Sequence, residues 1–155
     1  MRLNYIIYFF LISRICIYGQ SAQLTDFNDL LDALKSGKTL RIITDYSKCK
    51  LVTDSTENNA PEAIGGMNIN TFEYFARGSV KNERAFISTS EAPLIFHPRY
   101  GHILNYVKIR IYEDNEIEIT ARYLDPKSYE IKMDETFFST INNTRNDGGV
   151  TIFLK

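Results

Sequence analysis

Tryptophan is absent from the 155 residues, proline occurs 4 times and cysteine 2 times. Two cysteines build neither a disulfide scaffold nor a four-ligand zinc site by themselves. A basic excess is missing too, since 18 Lys and Arg face 19 Asp and Glu for a formal net charge of −1. That balance argues against a general nucleic-acid binder, which needs surplus cations to displace counterions. The apolar run Tyr5–Ile12 is far shorter than the roughly 20 residues of a spanning helix. What is plentiful is aromatic: 10 Tyr and 10 Phe in a chain that is 44% hydrophobic and 24% charged. The composition is globular, biased toward strands, and the length suits one domain.

The first residues read as an address. Arg2 precedes the apolar run, Ser13-Arg14 interrupts it, and Gly19–Ala22 supplies small residues. This order predicts a secretory signal peptide over about 1–22 and a mature domain over 23–155 that is secreted, extracellular and not membrane-bound after cleavage. A buried N-terminal strand is the competing reading, and Ser13-Arg14 would break it. Loss of Arg2 and Arg14 takes the net charge to −3. Cys16 leaves as well, so Cys49 remains as the single mature cysteine, either buried and inert or paired with another chain.

Thr25 is the expected N-cap of a helix whose Phe27, Leu30, Leu31 and Leu34 fall on one face, with Ser36-Gly37 as the stop. Strands are expected thereafter at Thr39–Asp45, Lys48–Val52, Met67–Phe75, Arg84–Ser90, Leu94–Phe96 and Val150–Leu154. Polar loops are expected at Asp54–Gly66, with Gly65-Gly66 as a turn permitting positive φ, and at Asn142–Gly149. Over His102–Glu135 the alternation is strict. Pairing apolar on apolar sets Ile111 against Ile117 and Val107 against Ala121, leaving Glu113-Asp114-Asn115 as a turn with Asn115 in its left-handed position. The same reasoning sets Ala121 against Ile131 and Ile119 against Met133, with Asp125-Pro126-Lys127 at the tip. Lys108 and Arg110 should meet Glu118 and Glu116 outside. The expected fold is mainly β, an antiparallel meander forming a small up-and-down barrel or strongly curled, calycin-like sheet, with one N-terminal amphipathic helix.

Candidate chemistry is sparse. His97 and His102 flank a turn and match no strong metal-ligand spacing. Cys49 with either histidine would make a nucleophile pair, with Lys48 and Lys50 favouring the thiolate. The plainer reading is that Cys49 points inward while the lysines point out. The acidic side chains, Glu113, Glu116, Glu118, Glu130, Asp134 and Glu135 among them, are expected mostly outward on the hairpins, and nothing selects an acid–base pair. Asn142-Asn143-Thr144 is a sequon, so Asn142 is a candidate glycan site in a secreted eukaryotic chain. The aromatics either fill the interior or line a pocket, for which Phe72, Phe75, Tyr106 and Phe137 are the candidates.

The stretch from Cys49 to Phe75, CKLVTDSTENNAPEAIGGMNINTFEYF, resembles the VirK protein family: a cysteine, a variable polar loop, an Ile-Gly-Gly-Met-like turn and an Ile-x-x-Phe strand. The likeness continues through Ala85–Glu91, Asn105–Ile119 and Ala121–Ile131. It implies an exported protein of unresolved biochemistry. The family's name comes from a gene found with bacterial virulence genes and is not itself a sign of virulence. The Tyr-rich, sequon-bearing chain looks more like the family's invertebrate type. Bacterial members often carry a second, C-terminal cysteine; this chain has none after Cys49, so no intramolecular disulfide is carried over. The reading is a secreted protein without cofactor or metal, more a binder than an enzyme. It would engage a protein or surface partner through Asp54–Gly66 and Asn142–Gly149. The alternative is a lipocalin-like carrier of a small hydrophobic ligand, and the weaker one a barrel enzyme using Cys49 and a histidine.

Overall fold

The computed structural model describes residues 22–53 and 56–155. The expected leader therefore lies outside the described residues except for Ala22. The described chain is mainly β with one α-helix. In order it runs β1 (Gln23–Leu24), α1 (Phe27–Lys35), β2 (Leu40–Asp45), a 3-10 turn (Tyr46–Lys48), β3 (Lys50–Thr53), β4 (Thr56–Asn58), β5 (Ile64–Ile69) and β6 (Glu73–Phe75). Then come β7 (Phe86–Glu91), β8 (Leu94–His97), β9 (Gly101–Tyr112), β10 (Glu116–Leu124), β11 (Ile131–Thr140) and β12 (Val150–Leu154).

The strands do not form one up-and-down barrel. They divide into a four-stranded sheet, β1-β12-β2-β5, and an eight-stranded sheet in which β4-β3-β11-β10-β9-β7-β6 are neighbours and β8 also pairs with β9. Consecutive hairpins run only through β8, β9, β10 and β11, with β3–β4 and β6–β7 as separate antiparallel pairs; β12 returns to sit between β1 and β2. The 3-10 turn carries the chain from one sheet to the other. Alternation aims Leu40, Ile42, Met67, Ile69, Val150 and Ile152 of the small sheet inward, against Ile87, Ile109, Ile111, Ile117, Ile119 and Phe137 of the large one, in a single core.

The helix closes one end of that core. Its cap is Asp26, not Thr25: the Asp26 carboxylate accepts from the N–H groups of Asn28 and Asp29 at 2.9 and 3.0 Å. A carboxylate suits the positive helix end better than a hydroxyl. Phe27, Leu30, Leu31, Ala33 and Leu34 are buried, and each of the large side chains contributes roughly 1.5–3 kcal/mol on leaving water. The Phe27 N–H donates to Asn115 Oδ1 at 2.8 Å, tying the helix start to the β9–β10 turn. Gly37 takes φ +76° after the C-cap, as the stop signal requires.

The β9–β10 register is as expected, with Ile117 on Ile111, Ala121 on Val107 and Asn115 at φ +69°. The β10–β11 register is not. Ala121 lies opposite Glu135 and Ile119 opposite Phe137, four residues away from the expected partners. The tip is the longer Asp125–Glu130. There the Asp125 carboxylate accepts from the N–H groups of Lys127 and Ser128, Tyr129 adopts φ +59°, and a register shift follows between Tyr123 and Leu124. Outside, Arg110 meets Glu118 at 3.3 Å, but Lys108 faces Thr120, and Glu116 pairs with Arg84 at 2.6 Å.

Asp54–Gly66 is also corrected. Within its described part Thr56–Asn58 is strand β4, and Gly65-Gly66 lies inside β5 without positive φ. Glycine is needed there for closeness: a Cβ on Gly65 would stand 3.0 Å from the Tyr46 ring, and one on Gly66 3.0 Å from Ile43 Cδ1. The expected Met67–Phe75 strand is split, because β5 belongs to the small sheet and β6 to the large one.

Candidate functional site

At the end opposite α1 the core stays open. On the inner face of the large sheet, pairing sets residues in rows, since partners on adjacent strands share a face. One row is Glu91–Val107–Ala121–Glu135 across β7, β9, β10 and β11. The row above it, toward the helix, is Thr89–Ile109–Ile119–Phe137 and is filled. The row below it is Asn105–Tyr123–Met133, at the mouth.

Two adjoining pockets open over these rows. One, of about 100 Å³, lies between the sheets, with Ile42, Thr44 and Met67 on one wall and Glu91, Asn105 and Val107 on the other. The second, of about 220 Å³, is floored by Val107 and Ala121 and walled by Tyr123, Met133, Glu135 and Phe137, with Pro61 and Ala63 at its rim. Tyr46, Gly65, Asn105 and Val107 line both. Tyr46 is held in place from three sides. Its N–H donates to Ala63 O at 2.9 Å, its ring meets Phe137 edge-on at 4.8 Å, and bare Gly65 lets it lie close. Burial, then the neighbouring Cys49, Tyr123 and Glu135, raise the Tyr46 hydroxyl above its ordinary pKa, so it is a donor at neutral pH. The lining contains carboxylates, hydroxyls, an amide and aromatic rings, and no Lys or Arg.

The aromatics named from sequence are not gathered here. Phe137 is part of the filled row, 2% exposed, and its edge reaches the second pocket. Phe72 and Tyr106 line a polar groove on the outer face with Ser88, Ser90 and Lys108. Phe75 stacks on Phe86 at 4.8 Å, also outside. Asn142 is half-buried, and its Oδ1 accepts from Thr144 N–H at 3.3 Å, leaving Thr144 exposed.

Cys49 is buried and unpaired, with Sγ 3.4 Å from Asp45 O. Burial pushes its thiol up, against a hydrogen bond from Ser139 that lowers it. Lys48 and Lys50 point outward to Asp147 and Glu57. His97 packs on Tyr100 and Tyr123, and His102 on Phe96. The thiol and the imidazoles thus have separate surroundings. Among the described residues no three His, Cys, Asp or Glu side chains gather as a metal site, and no helix is long and apolar enough to cross a membrane.

A sequence model of the VirK protein matches residues 23–129, more than half of the chain. The chain belongs to the VirK family. The same fold occurs in the crystal structure of a VirK family protein from Legionella pneumophila: TM-score 0.64 at 18% identity, covering 86% of this chain and 99% of that one. No curated protein sequence matches. The VirK match spans Tyr46, Gly65, Glu91, Asn105, Val107, Ala121 and Tyr123, but ends before Met133, Glu135 and Phe137.

Glu91 and Tyr46 were not singled out from sequence, and Glu135, grouped with the acidic side chains expected mostly outward, faces inward because the true register sets it beside Ala121. A signal existed for two of them. Glu91 follows Ile87 and Thr89 at a spacing of two, and Glu135 sits between Met133 and Phe137 in the same way. A carboxylate in an inward slot of an apolar alternation is the mark.

Proposed function

We propose that this VirK-family chain is an exported, non-enzymatic binding protein of the family's invertebrate type, whose ligand is a small molecule seated in the Tyr46 cleft. The observation that carries this is a pocket entering the core at one end while a helix closes the other. Its two parts, of about 100 and 220 Å³, are each below the roughly 300–1,000 Å³ of ordinary ligand sites. That suits a compact ligand and leaves little room for a fatty chain, so the carrier reading is narrowed from hydrophobic to amphipathic ligands. A buried thiol turned toward a carbonyl, away from the histidines, supports a binding role over catalysis. Export is supported by the order of Met1–Ala22, and glycosylation of Asn142 by its place beside exposed Thr144. The test is a fragment screen on the full chain by NMR: hits should shift Ala63, Val107, Ala121 and Met133 together. Hits scattered over the surface would remove the reading.

A partner protein is the second reading, and one observation favours it. Leu94, Leu104, Leu124 and Ile131 form an outward row across four strands, where alternation ordinarily places polar residues. Leu94 is 59% and Phe96 70% exposed, the kind of apolar patch that marks a contact surface. Leu94→Lys with Phe96→Lys should abolish capture of such a partner; undiminished capture would place the contact elsewhere.

A further inference from the structure

The carboxylates of the cleft set the charge of what it holds. Among the described residues most Asp and Glu side chains hold a cation or cap a backbone N–H. Those with no such partner are exposed to solvent, except Glu91 and Glu135, which are half-buried and both line the cleft. A carboxylate withdrawn from water without a counter-charge is costly, and a cation brought to it recovers that cost. No basic side chain lines either pocket. Anionic ligands would meet like charge there.

The two carboxylates stand at opposite ends of one row, with Val107 and Ala121 between them. Three interstrand steps of about 4.8 Å separate their strands, roughly 14 Å between Cα atoms on a flat sheet. That separation keeps them at opposite ends of the row, and among the described residues no third His, Cys, Asp or Glu joins them as a metal site. Their distance is a span for a chain with a charge at each end. The floor between is small and apolar, and the rings of Tyr46 and Tyr123 stand beside it, surfaces that accept methylenes and alkylammonium groups.

We infer that the cleft binds aliphatic amines, and diamines best, with ammonium groups on Glu91 and Glu135 and the methylene stem over Val107 and Ala121. This rests on the reading of the cleft as a small-ligand site and names the ligand's class. The test compares four probes with one stem: hexamethylenediamine, hexylamine, hexanol and hexanoate. Binding to the full chain is followed by NMR shifts at Val107 and Ala121 and by calorimetry. Each charge-assisted contact is worth about tenfold in affinity, so the order should be diamine over monoamine over alcohol, with hexanoate weakest. Glu91→Gln and Glu135→Gln keep the shape of the side chains, and each should bring the diamine down to the monoamine. Added salt should weaken the diamine most in the unaltered protein, a readout independent of the variants' folding. Hexanol or hexanoate binding as tightly in the cleft would overturn the amine assignment and leave the small-ligand reading standing. No cleft shift with any probe, or diamine shifts confined to other surface carboxylates, would overturn both.

Discussion

At Gly149 only a hydrogen fits. A Cβ there would stand 2.9 Å from Asp45 O, Cys49 Sγ and Ser139 Oγ at once. The site joins the start of β12 to the corner where β2 leaves for the other sheet, since Asp45 N–H donates to Gly149 O at 2.8 Å. Two of the three clashing atoms are backbone or tightly held, so relief requires moving a strand. Gly149→Ala is expected to cost about 1–3 kcal/mol by chemical denaturation. Cys49 beside it makes a second expectation. Its folded pKa is raised by burial, whereas in the unfolded chain it ionises near 8.5. The folded state therefore holds the proton to higher pH. The stability this supplies is complete below the unfolded pKa and is lost as pH rises through the folded one. Denaturation midpoints should fall faster above about pH 8.5 in the unaltered protein than in Cys49→Ala. The native thiol should label slowly at neutral pH and quickly in denaturant; rapid native labelling would restore the enzyme reading.

Asp26 shows how much one element depends on its first residue. Its carboxylate holds two of the free N–H groups of α1, and Asp26→Ala should lower stability by about 1 kcal/mol, read as a shift in denaturation midpoint with an unchanged slope. The two long hairpins show what alternation does and does not specify. For β9–β10 the apolar pattern agreed with turn chemistry, because Glu113-Asp114-Asn115 is short and Asn115 accepts positive φ. For β10–β11 the pattern fixed the face but not the register, since a shift of four residues leaves every side chain on the same side. What decides between the two registers is local: Asp125 capping Lys127 and Ser128, and Tyr129 turning left-handed. That shift also hid half of the site, because it is the true register that brings Glu135 beside Ala121. The two-sheet arrangement was less legible still. It depends on the turn at Tyr46–Lys48 and on the break at Asn70–Phe72, where nothing in the local pattern says that a strand is changing sheets. Asp125 gives the hairpin a pH dependence. Backbone N–H groups of Ser128 and Lys127 hold its carboxyl below its ordinary pKa. Its support is thus present above the unfolded pKa and is lost as pH falls through the folded one. Protection of the Lys127 and Ser128 amides, relative to their intrinsic exchange at each pH, should fall in acid more than in Asp125→Asn, where no such titration remains.

The whole molecule treats its two ends differently. One is sealed by Phe27, Leu30, Leu31 and Leu34 of α1, all buried in the core, with the helix start bonded to Asn115 of the β9–β10 turn. At the other, the row Glu91–Val107–Ala121–Glu135 has small residues at its centre and carboxylates at its ends, under a tyrosine that rests on a bare glycine. A domain of this size gains stability chiefly by filling its interior, and leucine at position 121 would fill more of it than alanine does. The pocket above Ala121 offers the room. Ala121→Leu should therefore cost less than the roughly 1–3 kcal/mol of overpacking a filled core, in contrast to Ile119→Ala one row inward, where a fully buried side chain is lost at about 2–5 kcal/mol. The same leucine would lie where a ligand's stem must lie, so it should abolish the rise in thermal midpoint that an amine confers on the unaltered protein. If Ala121→Leu proves as destabilising as Ile119→Ala, the space above Ala121 is occupied by the fold itself and the open end is not a binding site. If it folds well and still binds, the ligand enters by another face, and the outward row of Leu94, Leu104, Leu124 and Ile131 becomes the surface to alter next.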